Sequence, residues 1–370
     1  MSAFVLARAW SIARKEVRHV IRDPFTLTLA LGLPVVMVVF FGYAIDFNVK
    51  NVRIAVVDQD RTPASRDLQN VFSSSDYFRL VSANGRDGVA LLDNEDTKAA
   101  LYIPPGFQTD LVKGGSASVQ VVLDGADNQT TGVIASYLGG LQRAANDRIV
   151  GKTPAPIRME TRFLFNSELN SRWFIVPGLS VVVIGILSIL LTALTVAREW
   201  ENGSMELLLS TPVRPMEIVI GKLFPYSVLG LTSLAFVYGA ARLVFGVPFQ
   251  GSHLLFLATG LVFLVTVLAQ GLLISVVTRQ QLLAMQLANI SGMMPNMLLS
   301  GFIFPVESMP AFFQKLTMGL APRWFMFIVR GVFLKGETFF ELGIPIAALC
   351  AINVLIVTIA VKKFKTDLEP

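Results

Sequence analysis

Few side chains in this sequence suit catalysis, and their spacing narrows the chemistry further. Asp58, Asp60, Asp124 and Asp127 close short apolar runs, where a catalytic carboxylate would stand at the edge of a sheet. Acidic residues after strands are also ordinary turn formers. No histidine or cysteine stands beside these four in sequence, so the turn reading is preferred. His19 and His253 are far apart. Cys350 is the one cysteine and lies in an apolar run, which excludes an internal disulfide and a cysteine-built metal site. Gly151-Lys152-Thr153 matches the end of a phosphate-binding loop, but that motif requires a glycine where Asn146 stands. The residues therefore predict no nucleotide hydrolysis by this chain, no catalytic site, and no bound cofactor or metal.

The elements that carry these residues are mostly apolar. Of 370 residues, 53% are hydrophobic and 15% charged, and the mean hydropathy is +0.61. Residues 46–172 hold 29 of the 57 charged side chains, 15 acidic and 14 basic, so the net charge of +5 belongs to the remainder. A basic excess on the apolar part argues for membrane orientation rather than nucleic-acid binding. A helix needs about 20 apolar residues to cross a bilayer. Six charge-free windows qualify: 24–45, 173–197, 223–241, 254–278, 280–306 and 342–361. The stretch 311–334 is interrupted by Lys315, Arg323 and Arg330 and divided by Pro322, so 305–335 reads as a re-entrant or interfacial hairpin.

Basic residues set the expected orientation. Arg8, Arg14, Lys15, Arg18 and Arg22 precede the first window, and Lys362, Lys363 and Lys365 follow the last. Six spans then put both termini in the cytoplasm, including a tail at 362–370, although the 307–341 loop dissents with four basic residues. Residues 1–23 do not read as a secretory signal. They read as an amphipathic helix along the membrane, with Leu6, Trp10, Ala13, Val17 and Val20 at helical spacing and Arg8, Lys15, Arg18 and Arg22 on another face. Topological anchoring and partner docking both remain open for it.

Residues 46–172 are expected outside the membrane as a small α/β domain, because strand and helix patterns alternate. Strands are predicted at Val52–Val57, Tyr77–Val81, Ala99–Ile103 and Val119–Leu123. Helices are predicted through Leu68 and Val71, at Val89–Leu92, at Phe107–Val112 and at Thr130–Val150. The fold class is thus an α-helical polytopic membrane protein of six transmembrane helices with an inserted extracytoplasmic α/β domain.

Ion-coupled transporters usually place an ionisable residue inside the bilayer, and the six windows contain none. Energy is therefore expected from outside the chain, and the cytoplasmic segment 198–217 shows where it would enter. There Gly203-Ser204 starts a short helix, Glu206 sits near its positive end, and Pro212 stops it. A short capped acidic helix suits a rigid contact with a moving partner, and an ordinary loop fits the same composition.

This segment resembles the loop of type-2 ABC exporter permeases that meets the ATPase after the second span. Similar segments occur in order along the whole chain: Ile54–Asp60, Ala100–Phe107, Asp124–Asp127, Ser171–Gly178, Gly221–Tyr226 and Ser300–Pro305. Together they resemble the bacterial, multidrug-efflux-type subgroup with a large extracytoplasmic domain between the first two spans. The resemblance implies a half-transporter of the bacterial inner membrane. A second permease chain, identical or paralogous, would complete the pathway, and separate ATP-binding subunits would carry ATP and magnesium. A periplasmic membrane-fusion adaptor would extend the export route in some relatives. Arg198, Glu199, Glu201, Gly203, Glu206 and Pro212 would form the ATPase-coupling segment, flanked by the N-terminal helix, and the outer gate would map to 305–335.

Seven of twelve methionines fall between Met285 and Met326, among several phenylalanines. Met293, Met297, Phe302, Phe304, Phe312 and Phe325 are the candidate gate or pathway residues. Flexible thioethers and rings suit varied hydrophobic cargo, drug-like or lipid-like, but for any single residue helix packing and lipid contact is the preferred reading. Two other function classes remain: a mechanotransmission subunit that works an envelope partner without transport, and an ion-coupled transporter.

Overall fold

The computed structural model describes residues 5–44, 51–75, 77–83, 97–113, 117–123, 128–149 and 171–364. The chain divides into two compact units, Met1–Ile45 with Phe163–Pro370, and Asp46–Arg162. The sequence boundary at 172 therefore lies ten residues beyond that of the second unit.

In Asp46–Arg162, β-branched and apolar runs form β1 (Val52–Asp58), β2 (Phe78–Ser82), β3 (Ala99–Ile103) and β4 (Gln120–Leu123). They make one sheet in the order β2-β1-β3-β4. β1 runs parallel to β2 and β3, while β4 pairs antiparallel with β3. Parallel neighbours need crossover connections, and α4 (Pro63–Ser73) supplies the one from β1 to β2. Helices α5 (Phe107–Val112) and α6 (Asn128–Ile149) complete the described elements. The core joins Ile54, Leu101 and Ile103 of the sheet to Leu68, Val71 and Phe72 of α4 and Ile134 of α6. Strands and helices thus fall within a few residues of their sequence patterns. The predicted helix at Val89–Leu92, together with Asp124, Asp127 and Gly151–Thr153, lies outside the described residues.

Asp58 and Asp60 act as turn and cap acceptors. Asp58 Oδ1 accepts the Asp60 and Arg61 N–H groups, and its Oδ2 accepts from Ser65 and Gln69. Asp60 Oδ1 accepts the Gly106 N–H at 2.7 Å, and Oδ2 accepts from Gln108 N–H and Thr62 Oγ1. Gly106 caps α5 in the left-handed region, at φ 85°, and has no side chain to offer. Asp60 therefore satisfies orphan donors of that helix from another loop.

In the other unit, windows 173–197, 223–241, 254–278 and 342–361 lie in α7 (Ser171–Glu201), α9 (Pro215–Leu243), α10 (His253–Thr278) and α14 (Gly343–Lys363). These four helices are long and apolar enough to cross a membrane. The other two windows differ. Window 24–45 is divided into α2 (Pro24–Leu27), one π-helical stretch (Thr28–Gly32) and α3 (Leu33–Ala44), and its apolar part is shorter. Window 280–306 holds α11 (Gln281–Met297), which ends ahead of Gly301 at φ 86°. The hairpin region contains a 3-10 turn (Val306–Ser308), α12 (Ala311–Thr317) and α13 (Ala321–Arg330), followed by a π-helical turn (Gly331–Lys335). Remaining are α1 (Leu6–Arg22) and the short α8 (Ser204–Leu209).

Small and hydroxyl residues let the long helices approach closely, as in membrane bundles. A Cβ on Gly271 of α10 would strike the Ile189 carbonyl and Thr192 Oγ1 of α7. Thr192 in turn donates to Leu268 O at 2.8 Å, and Ser275 Oγ receives the Val196 and Ala197 N–H groups. On α11 every fourth residue, Ala284, Ala288, Gly292 and Asn296, is buried, and Asn296 fills the space above Gly185 of α7.

Candidate coupling site

Helix α8 follows α7 after a sharp turn that Gly203 makes at φ 69°. The helix ends at Leu209 because Ser210 and Thr211 hydroxyls bond back to Leu207 and Leu208 carbonyls. Pro212, expected as the stop, lies beyond this end and serves differently: its carbonyl accepts from Arg8 Nη1 of α1. Met205 is buried under α8, whereas Glu206 and Leu207 face outward, Leu207 at 73% exposure. Glu206 has no partner among the described residues. The α8 surface is thus a small acidic and apolar knob on a fixed base.

Charged groups build that base. Lys222, on the second turn of α9, is 1% exposed. Its Nζ lies 2.9 Å from Glu16 Oε1 of α1 and 2.7 Å from Glu199 Oε2 of α7. Glu199 Oε1 also accepts from Lys15 of α1 at 2.7 Å. Three helices therefore meet at one buried cation. Glu217, fully buried, accepts the Val5 N–H at 2.8 Å through Oε1 and the Arg214 N–H at 3.0 Å through Oε2. One carboxylate thereby caps the first turns of both α1 and α9. The helices touch closely between these points, since a Cβ on Gly221 would meet Ala9 O and Ile12.

The six sequence candidates divide by role. Arg198 Nη1 stands 3.9 Å from Asp23 Oδ2, Glu199 joins the buried triad, and Glu201 accepts the Gln281 backbone N–H at 2.7 Å together with its side-chain amide. With Pro212, these residues fasten the segment to α1, α9 and α11. Gly203 makes the turn, and Glu206 is exposed. Sequence reasoning missed Glu16, Glu217 and Lys222. Helix α9 begins eight residues before the charge-free window 223–241, and this added stretch carries both Glu217 and Lys222. A signal existed in Glu16, which shares the stripe of Ile12, Ala13 and Val20, the face of α1 that is buried.

Beside the triad opens a cavity of about 320 Å³. Glu16, His19, Arg198 and Glu199 line its polar side, and leucines such as Leu190 and Leu194 its apolar side. The gate candidates form no single lining. Phe325 stacks on Phe263 with centroids 4.4 Å apart, and Phe302 packs over Gly178, so both belong to the helix core. Met293, Phe304 and Phe312 are exposed, and Met297 is half-buried. The ring of Phe302 and the Met326 sulfur both lie over Gly178 on α7, which joins the hairpin to that helix.

A sequence profile of ABC-2 family transporter proteins matches residues 24–362, nearly the whole bundle and the intervening unit. The chain belongs to the ABC-2 transporter family. It is 31% identical to the "Probable multidrug ABC transporter permease YbhS" of Escherichia coli over 98% of both chains. It is 29% identical to YbhR, similarly named, over 89% of this chain and 90% of the relative. ABC transporter G family member 20 of Dictyostelium discoideum is 24% identical over 90% of this chain and 47% of its own length. The ABC-2 protein described here is thus a multi-pass membrane permease, and ABC-2 permeases work with an ATP-binding subunit.

Proposed function

We propose that this ABC-2 permease is the membrane-spanning half of an ATP-driven exporter of hydrophobic or amphiphilic compounds. In this reading six segments span the bilayer, both termini are cytoplasmic, and Asp46–Arg162 is extracytoplasmic. A second permease chain completes the pathway, and α8 docks the ATP-binding subunit. The observation that carries the reading is the exposed α8 knob on a base locked by Lys222, Glu16 and Glu199. A push on such a knob moves α1, α7 and α9 together rather than bending a loop. The cavity beside it, polar on one side and leucine-lined on the other, suits an amphiphile, and the relatives' names supply the multidrug class.

The test is purification of the tagged chain with its partners and identification of them by mass spectrometry, followed by substitution of Glu206→Lys. Because Glu206 has no partner among the described residues, the variant inserts normally, loses most ATP-binding subunit on purification, and loses transport into inverted vesicles. Transport unchanged by Glu206→Lys removes α8 from the coupling route. ATP turnover that persists without accumulation of any compound favours the mechanotransmission class.

A further inference from the structure

Helix α1 presents three faces, and its basic residues sort between two of them. Ala9, Ile12, Ala13, Glu16 and Val20 are buried. On one flank Arg8 and Lys15 have protein partners, the Pro212 carbonyl and Glu199. On the other flank stands an apolar stripe of Leu6, Trp10, Val17 and Ile21, exposed by 72%, 61%, 37% and 65%. Arg14 and Arg18 lie just beyond it, exposed and without an ion pair or hydrogen bond among the described residues. At 3.6 residues per turn they sit about 50° and about 90° round from the stripe, on the side away from the buried face. Trp10 meets the edge of Phe224 on α9 with centroids 5.9 Å apart, which sets the stripe beside the first turns of a membrane-crossing helix.

We infer that this flank binds anionic phospholipid headgroups. The stripe enters the acyl region while the two guanidinium groups extend to lipid phosphates, as amphipathic basic helices do. Charge complementarity and the apolar stripe select the lipid together. A soluble acidic partner would satisfy the arginines but would leave four apolar side chains, and the half-exposed Phe224 ring beside them, facing water. Arginine suits the site because its planar fork pairs with phosphate oxygens. The inference requires α9 in a membrane and is independent of what, if anything, the protein exports.

The test uses the full chain in phosphatidylcholine nanodiscs carrying a minor fraction of brominated phosphatidylglycerol or, separately, brominated phosphatidylcholine. Subtracting the signal of Trp10→Phe isolates Trp10 fluorescence. Brominated phosphatidylglycerol should quench Trp10 more strongly than brominated phosphatidylcholine, reflecting an enrichment of roughly fivefold per arginine. The excess is lost in the Arg14→Gln/Arg18→Gln double variant and largely kept in Arg14→Lys/Arg18→Lys. Equal quenching by the two lipids, or an excess that survives the glutamine pair, overturns the inference. So does unchanged lipid quenching with loss of the co-purifying ATP-binding subunit, which would assign the flank to a protein partner.

Discussion

Lys222 contacts one buried carboxylate, Glu16, and one partly buried, Glu199, and such clusters gain little net stability because desolvation offsets the attraction. Removing Lys222 is a different matter, since Glu16 then stays buried without its cation while Glu199 keeps only Lys15. Lys222→Met should therefore cost about 3–5 kcal/mol, seen as a large fall in thermal stability in detergent. The triple change Glu16→Gln, Glu199→Gln, Lys222→Met should recover much of that loss, because it leaves no buried charge. A triple variant as unstable as the single one would show that the helices are held by shape rather than by charge. Asp60 works at the same scale in the other unit. Its Thr62 hydroxyl contact and the N–H groups of Gln108, Gly106 and Phe107 hold its carboxyl below the usual 3.8 against the opposing effect of burial. A depressed folded value means that its contribution is fully present above about 3.8 and is lost as pH falls through the folded value. Hydrogen exchange should show the Gly106 and Gln108 amides protected at neutral pH and released on acidification. Asp60→Asn should weaken that protection already at neutral pH and flatten its acid dependence.

Among the elements, close approach of α7 and α10 depends on one missing side chain. Gly271→Leu would drive its Cβ into the Ile189 carbonyl and Thr192 Oγ1, which backbone packing cannot relieve without separating the helices. Overpacking of this kind costs about 1–3 kcal/mol, and the hydrogen bond from Thr192 to Leu268 O goes with it. A melting temperature unchanged by Gly271→Leu would show that the interface is looser than its geometry implies. This contact was not legible in the sequence. Hydropathy marks that residues 254–278 form an apolar helix, but not which of Gly260 and Gly271 faces which neighbour. The strands were legible because Val52–Asp58 and Ala99–Ile103 are short apolar runs closed by turn residues. The start of the α8 helix was legible from Gly203 and Ser204, whereas Pro212 lies beyond its end at Leu209. Its base was not, because Glu16 and Lys222 are 206 positions apart, and only folding brings α1 onto α9. On α1 itself the residues Leu6, Trp10, Ala13, Val17 and Val20 read as one apolar stripe. The structure divides them, with Ala13 and Val20 buried and Leu6, Trp10 and Val17 exposed.

For the whole molecule, charge distribution and architecture bear on the same question of sidedness. Residues 46–172 carry a nearly balanced half of all charges, as an aqueous domain would, while basic residues cluster at both ends of the apolar unit. The positive-inside rule counts Lys and Arg near span ends, and Arg8, Lys15 and Arg198 all converge around α8 through contacts with Pro212, Glu199 and Asp23. Under the proposed topology that end of the bundle faces the cytoplasm and Asp46–Arg162 lies outside. Impermeant maleimide labelling tests this directly. In a Cys350→Ser background, Ser73→Cys on the exposed end of α4 should label in intact cells with an opened outer envelope. Leu207→Cys on α8 should label only after the inner membrane is permeabilised. Both positions are solvent-exposed in the fold, so failure to react reflects the barrier rather than packing. Labelling of Leu207→Cys from outside would invert the topology and move the coupling surface out of reach of any ATP-binding subunit. Labelling of both from outside would place an even number of spans between them and exclude α7 as a single span between Ser73 and Leu207.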